Sequence, residues 1–255
     1  MSHIIGIDVS KATLDCAYLR DPDQDKAKRK ICQNEMDHFE SLINCAQALT
    51  GLPCQSLAFV IEPTHVYHEQ LVQFLHSKAT TVYLVNPGRV RKFAEGIGIL
   101  SKNDVIDADL LAHYGLMAKK LIVFEPAPQE ISDLRSLLNR LDVLEKNLRR
   151  ELNRLEKAGK SLTFHRLEQQ SITRSIKRHE AEIVCFKNAA RDCVNASPWL
   201  QRDVELLGTV PGIGERTAWL MTVILSSRQF LSAAEVASFL GLNPIEKRSG
   251  KSEYR

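Results

Sequence analysis

The chain has 255 residues, 44% of them hydrophobic and 25% charged, which is enough apolar sequence for one large core or two modest ones. The net charge of +3, from 34 basic and 31 acidic residues, indicates a weak preference for anionic partners and argues against a strongly basic nucleic-acid binder. No apolar run of about 18 residues is present, so we expect no membrane span. The acid Asp8 and the absence of a basic segment before it argue against a signal peptide.

The cysteines are scattered along the chain and form no C-x-x-C pair, which argues against a zinc site. We therefore expect reduced thiols in a cytoplasmic protein. The six residues are Cys16, Cys32, Cys45, Cys54, Cys185 and Cys193.

Strand-like and helix-like segments alternate in the first part of the chain, over residues 1–125. This alternation predicts a mixed or parallel sheet covered by helices, which is an α/β domain. Apolar runs predict strands at 4–9, 14–19, 28–32, 57–61 and 81–85, and helical spacing predicts helices at 35–49, 66–75 and 104–117.

A coiled-coil pattern follows, and we assign residues 126–196 to a helical arm. Leucines and isoleucines from Ile131 to Leu155 occupy a and d positions of one heptad frame, with Glu145 off the pattern. A second apolar stripe from Ile172 to Ala190 predicts a returning, antiparallel helix. Such an arm cannot bury its stripe alone, so we expect the helices to pair with each other or with another subunit.

Residues 197–255 are predicted to form a small all-α domain. The sequence P-G-I-G, with Gly212 and Gly214, separates two helical segments and is typical of a helix-hairpin-helix. Glycines allow close backbone approach, and the amide groups at a helix start favour an anion, so this turn could hold a nucleic-acid phosphate without reading sequence. A purely structural turn is the alternative.

Four carboxylates stand at the ends of predicted elements. Asp8 interrupts the first apolar strand, and Glu62 follows the buried strand 57–61. Asp104 and Asp107 share one face of a later helix because they are three residues apart. Buried carboxylates need a cation, and oxygen ligands of this kind suit Mg²⁺ and the two-metal chemistry of phosphoryl transfer. The alternative is that each acid is an ordinary cap or surface charge. We interpret His65 and His68, which follow Glu62, as residues on the surface of a helix and not as metal ligands.

The motifs G-I-D-V-S-K and I-E-P-T, followed by N-P-G-R-V-R-K-F-A-E-G-I-G-I-L-S-K-N-D-V-I-D-A-D, resemble the DEDD transposases of bacterial insertion elements, which include the Piv-type DNA invertases. The resemblance implies a RuvC-like catalytic domain on a ribonuclease-H-like fold. It also implies that Asp8, Glu62, Asp104 and Asp107 bind Mg²⁺ or Mn²⁺ and that Lys102 is the basic residue before the acid pair.

The segment with R-S-G near the carboxyl terminus extends this resemblance and implies that Ser249 is a nucleophile, although Ser252 is close enough to be an alternative. The flanking Lys247, Arg248 and Lys251 would stabilise phosphate charge. Members of the family act on DNA as oligomers joined by coiled-coil arms, and some are guided by an RNA from the same element.

The implied function is therefore a DNA transposase or site-specific recombinase in the bacterial cytoplasm, associated with the nucleoid. Family members usually continue beyond Ser249 for several helices, so we expect the domain 197–255 to be truncated. Two other functions remain open: an inactive nucleic-acid-binding remnant of a transposase, and a kinase or ATPase of the actin-like type, which also begins with G-I-D-x-S. A second phosphate loop and an adenosine motif, which a kinase of that type needs, are absent from the sequence.

Overall fold

The computed structural model describes residues 3–19, 27–63, 65–98, 104–119, 121–161, 163–227, 230–243, 247–249 and 252–254, with the backbone alone at 104–106, 247–249 and 252–254. The chain divides into two compact units, Met1–Pro126 and Ala127–Arg255. Each unit has its own apolar core. In the described part of the chain, no helix has both the length and the apolar character needed to cross a membrane.

The first unit is built on a five-stranded mixed sheet with the order β3-β2-β1-β4-β5. The first three strands form an antiparallel meander, whereas β4 and β5 run parallel to β1. This sheet, with helices packed on it, fits the predicted ribonuclease-H-like domain. The strands are β1 (His3–Val9), β2 (Thr13–Leu19), β3 (Lys28–Gln33), β4 (Leu57–Ile61) and β5 (Thr81–Leu84).

Alternation along β1 separates two apolar layers, one on each face of the sheet. Ile5 and Ile7 pack with α1 and α2 on one face, whereas Ile4 packs with α3 and α4 on the other. All five residues of β4 are buried, as its continuous apolar sequence predicted. The helices are α1 (Met36–Thr50), α2 (Glu69–Ser77), α3 (Pro87–Gly96) and α4 (Asp104–Met117).

Helix α4 lies directly on β1, and glycines allow this close approach. A Cβ atom at Gly6 would be 2.2 Å from the carbonyl oxygen of Ala108, and one at Gly115 would be 2.8 Å from Cγ2 of Ile4. The two contacts show that helix and strand run antiparallel. The amino terminus of α4 therefore points to the end of β1 at which Asp8 lies.

The second unit begins with two 30-residue helices, α5 (Gln129–Ala158) and α6 (Arg166–Asn195). They are antiparallel, because Cys193 near the end of α6 donates a hydrogen bond to the carbonyl oxygen of Glu130 at the start of α5 (3.7 Å). The predicted coiled-coil packing and the role as an arm between subunits remain predictions. The buried face of α5 consists of Ile131, Leu134, Leu138, Leu141 and Leu144.

The break in the heptad pattern at Glu145 has a structural reason. Its Oε1 accepts a hydrogen bond from Nη1 of Arg216 (3.2 Å) and lies 3.8 Å from Nζ of Lys187 in α6. A carboxylate at this position connects α5 to two other helices at the border of the core. An apolar residue at position 145 would leave Arg216 and Lys187 without this ion-pair partner.

The rest of the second unit differs from the predicted all-α domain. Helices α7 (Pro198–Gly208), α8 (Glu215–Ser226) and α9 (Ala233–Phe239) are followed by a short antiparallel pair, β6 (Lys247–Ser249) and β7 (Ser252–Tyr254). The all-α prediction is therefore wrong at the carboxyl end. Residues 247–254 contain one apolar side chain, so they lack the stripe that would hold a helix against a core.

The middle of this segment packs on the long helices. Leu200 of α7 and Trp219 and Val223 of α8 belong to the same apolar core as the α5–α6 pair. Within the second unit, α5 to α8 therefore form one packed body. The division of the chain at residue 196 into an arm and a separate domain remains a prediction.

Candidate functional site

Two of the predicted acids occupy adjacent positions at one edge of the sheet. Ile7 of β1 is in register with Ile61, the last residue of the parallel strand β4. Asp8 follows Ile7 and Glu62 follows Ile61, so the two acids occupy neighbouring positions. Such strands lie about 4.8 Å apart. We call the edge at which β1, β4 and β5 end the carboxyl edge. Asp8 and Glu62 are both half-buried there.

The second acid pair starts the helix that points to this edge. Asp104 is the first residue of α4, and Asp107 precedes Ala108, which contacts Gly6. The backbone positions of Asp8, Glu62 and Asp107 are thus brought to one edge, whereas the side chain of Asp104 lies outside the described atoms. An all-oxygen donor set of this kind suits Mg²⁺ or Mn²⁺.

Among the described side chains, no three histidine, cysteine, aspartate or glutamate residues are close enough together to hold a metal ion. The described side chains include those of Asp8, Glu62 and Asp107 but not that of Asp104. The four-acid metal site therefore stays a prediction that the backbone arrangement supports.

A further acid, Asp15, was missed in the sequence. It lies directly opposite Asp8 in the antiparallel β1–β2 register, so the two carboxylates share one face of the sheet. Asp15 therefore adds a second negative charge beside Asp8 at the carboxyl edge. The signal was available, because Asp15 interrupts an apolar strand just as Asp8 does.

The acid Asp109 joins two distant elements. It accepts hydrogen bonds from Nε (2.9 Å) and Nη2 of Arg29 in β3. The hydrogen bonds with Asp109 raise the pKa of Arg29. This bidentate pair attaches α4 to the outer strand of the sheet, two residues beyond Asp107.

Asn34 connects the two segments that follow Asp8 and Glu62. Its Nδ2 donates to the carbonyl oxygen of Ser10 (2.9 Å) and to that of Tyr67 (3.0 Å). Ser10 belongs to the β1–β2 turn, and Tyr67 belongs to the segment between β4 and α2. One amide side chain therefore fixes the relative position of both acid-bearing chain segments, and no periodicity in the sequence indicated it.

The two histidines after Glu62 do not lie on a helix surface as predicted. His65 has a left-handed backbone with φ of 47°, and α2 begins only at Glu69. His65 and His68 therefore belong to the connection between β4 and α2.

Helix α3 adds positive charge to the carboxyl edge, because it begins directly after β5. Its amino terminus is capped by Oδ1 of Asn86, which accepts from the amide of Gly88 (2.8 Å). Arg89 and Lys92 lie on the exposed surface of this helix. Among the residues that the structure describes, neither of them forms an ion pair with an acid. Their charges are therefore available to an anionic partner.

The predicted helix-hairpin-helix corresponds to α7, a turn and α8. Gly212 has a φ of 89°, which favours glycine, and Gly214 caps the amino terminus of α8. Glu215 in the first turn would repel an anion, but it pairs with Arg191 (Nε to Oε1, 2.6 Å), whose hydrogen bonds lower the pKa of Glu215. A phosphate approaching this turn thus meets a neutralised carboxylate.

The candidate nucleophile Ser249 lies in β6, where it is in register with Ser252 of β7. Lys247 and Arg248 are the other residues of β6. Their side chains are outside the described atoms, and Lys102 and Lys251 lie outside the described residues altogether. The roles predicted for these residues remain predictions.

Comparison with known proteins connects both units to one family. A family model for DEDD transposases matches residues 5–162, and a second, for transposases of the IS116/IS110/IS902 family, matches residues 204–255. The pilin gene-inverting protein of Moraxella lacunata is 30% identical over 98% of this chain and 75% of its own length, and that of Moraxella bovis is 29% identical with the same coverage. The RuvC structure from Thermus thermophilus aligns with 47% of this chain and 99% of its own, at 13% identity and a TM-score of 0.33.

The match to the first family model covers more than half of the chain and includes Asp8, Glu62, Asp104 and Asp107. The second match includes the turn at Gly212 and the strand that contains Ser249. These matches favour the transposase interpretation over the actin-like kinase. The chain belongs to the IS110 family of transposases.

Proposed function

We propose that this protein is a DNA-cutting and DNA-joining recombinase, which uses an acidic tetrad with Mg²⁺ or Mn²⁺ and a serine nucleophile. The observation that carries the proposal is the adjacency of Asp8 and Glu62 at the carboxyl edge, with the start of α4 directed at them, in a chain of the IS110 family. DNA is the substrate because transposases move DNA segments. The protein would act in the bacterial cytoplasm on nucleoid DNA.

In this proposal Asp8, Glu62, Asp104 and Asp107 hold the divalent ion. When bound, that ion neutralises phosphate charge and polarises the scissile bond. Asp15 adds negative charge opposite Asp8, which raises the affinity of the edge for a cation. Asn34 and the Arg29–Asp109 pair keep the acid-bearing segments in place, so that little reorganisation is needed when the substrate arrives.

The proposed nucleophile is the hydroxyl of Ser249, which attacks the phosphodiester and forms a phosphoserine link to one DNA end while the other end leaves as a free hydroxyl. Rejoining reverses these steps with a different DNA end, so phosphodiester energy is conserved. Ser252 faces Ser249 across the β6–β7 pair and is the alternative nucleophile. Lys247, Arg248 and Lys251 would stabilise the phosphate charge.

Two further groups would bind the nucleic-acid backbone without reading sequence. Gly212 and Gly214 would bring the amides of the α7–α8 turn close to a phosphate. Arg89 and Lys92 of α3, together with Lys102, would hold the strand at the carboxyl edge. A guide RNA from the same element and a homo-oligomer joined through α5 and α6 complete the proposal.

The test is cleavage of supercoiled DNA that carries the ends of the element, in the presence of Mg²⁺. We expect Asp8→Asn and Glu62→Gln each to reduce the cleavage rate by at least about a hundredfold, the scale of losing a transition-state charge contact. Asp37→Asn, which changes an exposed acid in the first turn of α1, is the matched control and should cleave normally.

Ser249→Ala and Ser252→Ala identify the nucleophile, because only the true nucleophile is required for a covalent protein–DNA adduct. Adding RNA transcribed from the element tests guidance. Salt-sensitive DNA binding with no cleavage under any of these conditions would instead indicate the inactive remnant. Cleavage that persists in Asp8→Asn at the unmodified rate would contradict the acidic site.

A further inference from the structure

A group of three cysteines lies on the face of the sheet opposite to the predicted acids. Cys16 of β2, Cys32 of β3 and Cys45 of α1 line one small pocket between the outer strands and α1. Cys16 and Cys32 both pack against the apolar core on this side. None of the six cysteines has a role in the proposed recombination, so the pocket requires its own explanation.

The register of β2 and β3 places two of these thiols side by side. Cys16 pairs with Lys30 and Leu14 pairs with Cys32, so the cysteines are diagonal neighbours on the same face of the two strands. Both side chains line the same pocket, where Sγ of Cys16 donates a hydrogen bond to the carbonyl oxygen of Leu14 (3.8 Å). Diagonal positions on an antiparallel pair lie about 7–8 Å apart, which is at the upper limit of what a disulfide spans, so a bond between the sulfurs requires a movement of the backbone.

The position of β3 makes such a movement possible. Among the strands that the structure describes, it is the outermost on this side of the sheet and pairs only with β2. Five of its six residues are exposed, and Cys32 is the half-buried one. A strand at the edge, with few buried contacts, can shift more easily than one in the centre of a sheet.

The charges around the pocket favour a reactive thiolate at Cys32. The hydrogen bond from Cys16 lowers the pKa of Cys32 to about 6, and Lys30 and His38 act in the same direction, while desolvation opposes them. The same hydrogen bond, together with burial, raises the pKa of Cys16, and Asp15 and Cys45 contribute to that rise. Lys28 also lines the pocket. One thiol is thus ionised near neutral pH while its neighbour retains its proton.

We propose that Cys32 and Cys16 form a peroxide-sensitive dithiol site, in which Cys32 is the attacking cysteine and Cys16 is the resolving cysteine. The Cys32 thiolate attacks a hydroperoxide, so that an S–O bond forms, the O–O bond breaks and the second oxygen leaves as hydroxide or alkoxide. The sulfur of Cys16 then attacks that of Cys32. The S–S bond forms, the S–O bond breaks, and the hydroxyl leaves as water with the proton of Cys16.

The product is a disulfide that joins the edge strand β3 to β2. Because Arg29 of the same strand holds Asp109 of α4, the bond would fix a strand that is attached to the helix carrying Asp107. The thiol chemistry itself does not depend on the recombinase function. Its test therefore uses no DNA.

The experiment treats the reduced full-length protein with limiting hydrogen peroxide, and the peptides are then mapped by mass spectrometry without reduction. We expect a Cys16–Cys32 linked peptide, lighter than the sum of the two reduced peptides by two hydrogen atoms. In Cys16→Ser, oxidation should stop at a sulfenic acid on Cys32 that dimedone traps. The exposed Cys185 is the matched solitary thiol and should give no internal disulfide.

The second measurement is the rate of Cys32 alkylation as a function of pH. It uses the unsubstituted protein, so it does not depend on whether a variant folds. We expect this rate to reach half of its maximum near pH 6. A disulfide from Cys32 to Cys45, or a linked peptide that forms only between two protein chains, would overturn the assignment. Alkylation of Cys32 with a half-maximum near pH 8.5, the value of about 8.5 for an unperturbed thiol, would overturn it as well.

Discussion

Gly6 of β1 and Ala108 of α4 approach so closely that a Cβ atom at position 6 would be 2.2 Å from the carbonyl oxygen of Ala108. No flexible side chain can absorb this overlap, because the atom it meets belongs to the backbone of a helix. The contact determines how far α4 stands from the sheet. It therefore also determines the position of Asp107, the residue before Ala108, relative to Asp8.

Substituting Gly6 with alanine tests this contact. We expect Gly6→Ala to lower the free energy of unfolding by about 3 kcal/mol, because overpacking of this kind displaces a whole helix. DNA cleavage should fall with it. Gly96→Ala is the matched control, since its Cβ atom would meet nothing within 4 Å and its backbone is not left-handed. Equal stability of the two variants in urea unfolding would show that α4 does not depend on this glycine.

Asn34 offers a test of how the acid-bearing segments are held. Asn34→Ala removes two hydrogen bonds to the carbonyl oxygens of Ser10 and Tyr67, so we expect a loss of about 1–3 kcal/mol in unfolding free energy. Asn34→Asp should be worse, because it brings a negative charge to two carbonyl oxygens. Gln33→Ala, at the neighbouring exposed position, is the control. Unchanged stability and cleavage in Asn34→Ala would remove the positioning role.

If Arg89 and Lys92 hold DNA as proposed, they make its binding dependent on salt. If each neutralises one phosphate, the double variant Arg89→Ala/Lys92→Ala should reduce the slope of log affinity against log salt by about 1.8, which is about 0.9 per contact. Lys78→Ala is the control, because Lys78 pairs with Glu40 and lies just before the start of β5, at the opposite edge of the sheet. The slope is measured by fluorescence anisotropy over a series of salt concentrations. A slope equal to that of the wild type would exclude α3 from the DNA interface.

The α5–α6 pair can be tested with two residues on the same helix. Leu141 is fully buried, whereas Val143 is 44% exposed. We expect Leu141→Ala to cost about 2–5 kcal/mol, because it leaves a cavity in the core of the second unit, and Val143→Ala to cost less than about 0.5 kcal/mol. Urea unfolding followed by circular dichroism measures both. Similar costs for the two variants would contradict the assigned orientation of α5.

The parts of the fold that depend on local sequence were predictable. The helix predicted at 104–117 is confirmed as α4, and the buried strand at 57–61 is confirmed as β4. Asp8 and Glu62 could be placed at strand ends for the same reason, since apolar runs mark the strands directly. The expectation that carboxyl ends of parallel strands meet at one edge is enough to bring these two acids together.

The parts that depend on pairing across long distances were not predictable. Arg29 and Asp109 are 80 residues apart, and nothing in either local sequence indicates the other. Asn34 stands in a connection without periodicity, and its partners are two carbonyl oxygens, which every residue has. The β6–β7 pair was missed because a short polar segment shows neither the helical nor the strand periodicity of apolar residues.

The most direct test of the acidic site is the location of a bound divalent ion. A crystal of the full chain soaked in Mn²⁺ should show an anomalous difference peak at the carboxyl edge, next to the carboxylates of Asp8 and Glu62. The same soak of the Asp8→Asn variant should lose or strongly weaken that peak, because the ion then lacks one of its charged ligands. A peak at another place on the protein, or one that is undiminished in Asp8→Asn, would contradict the proposed site.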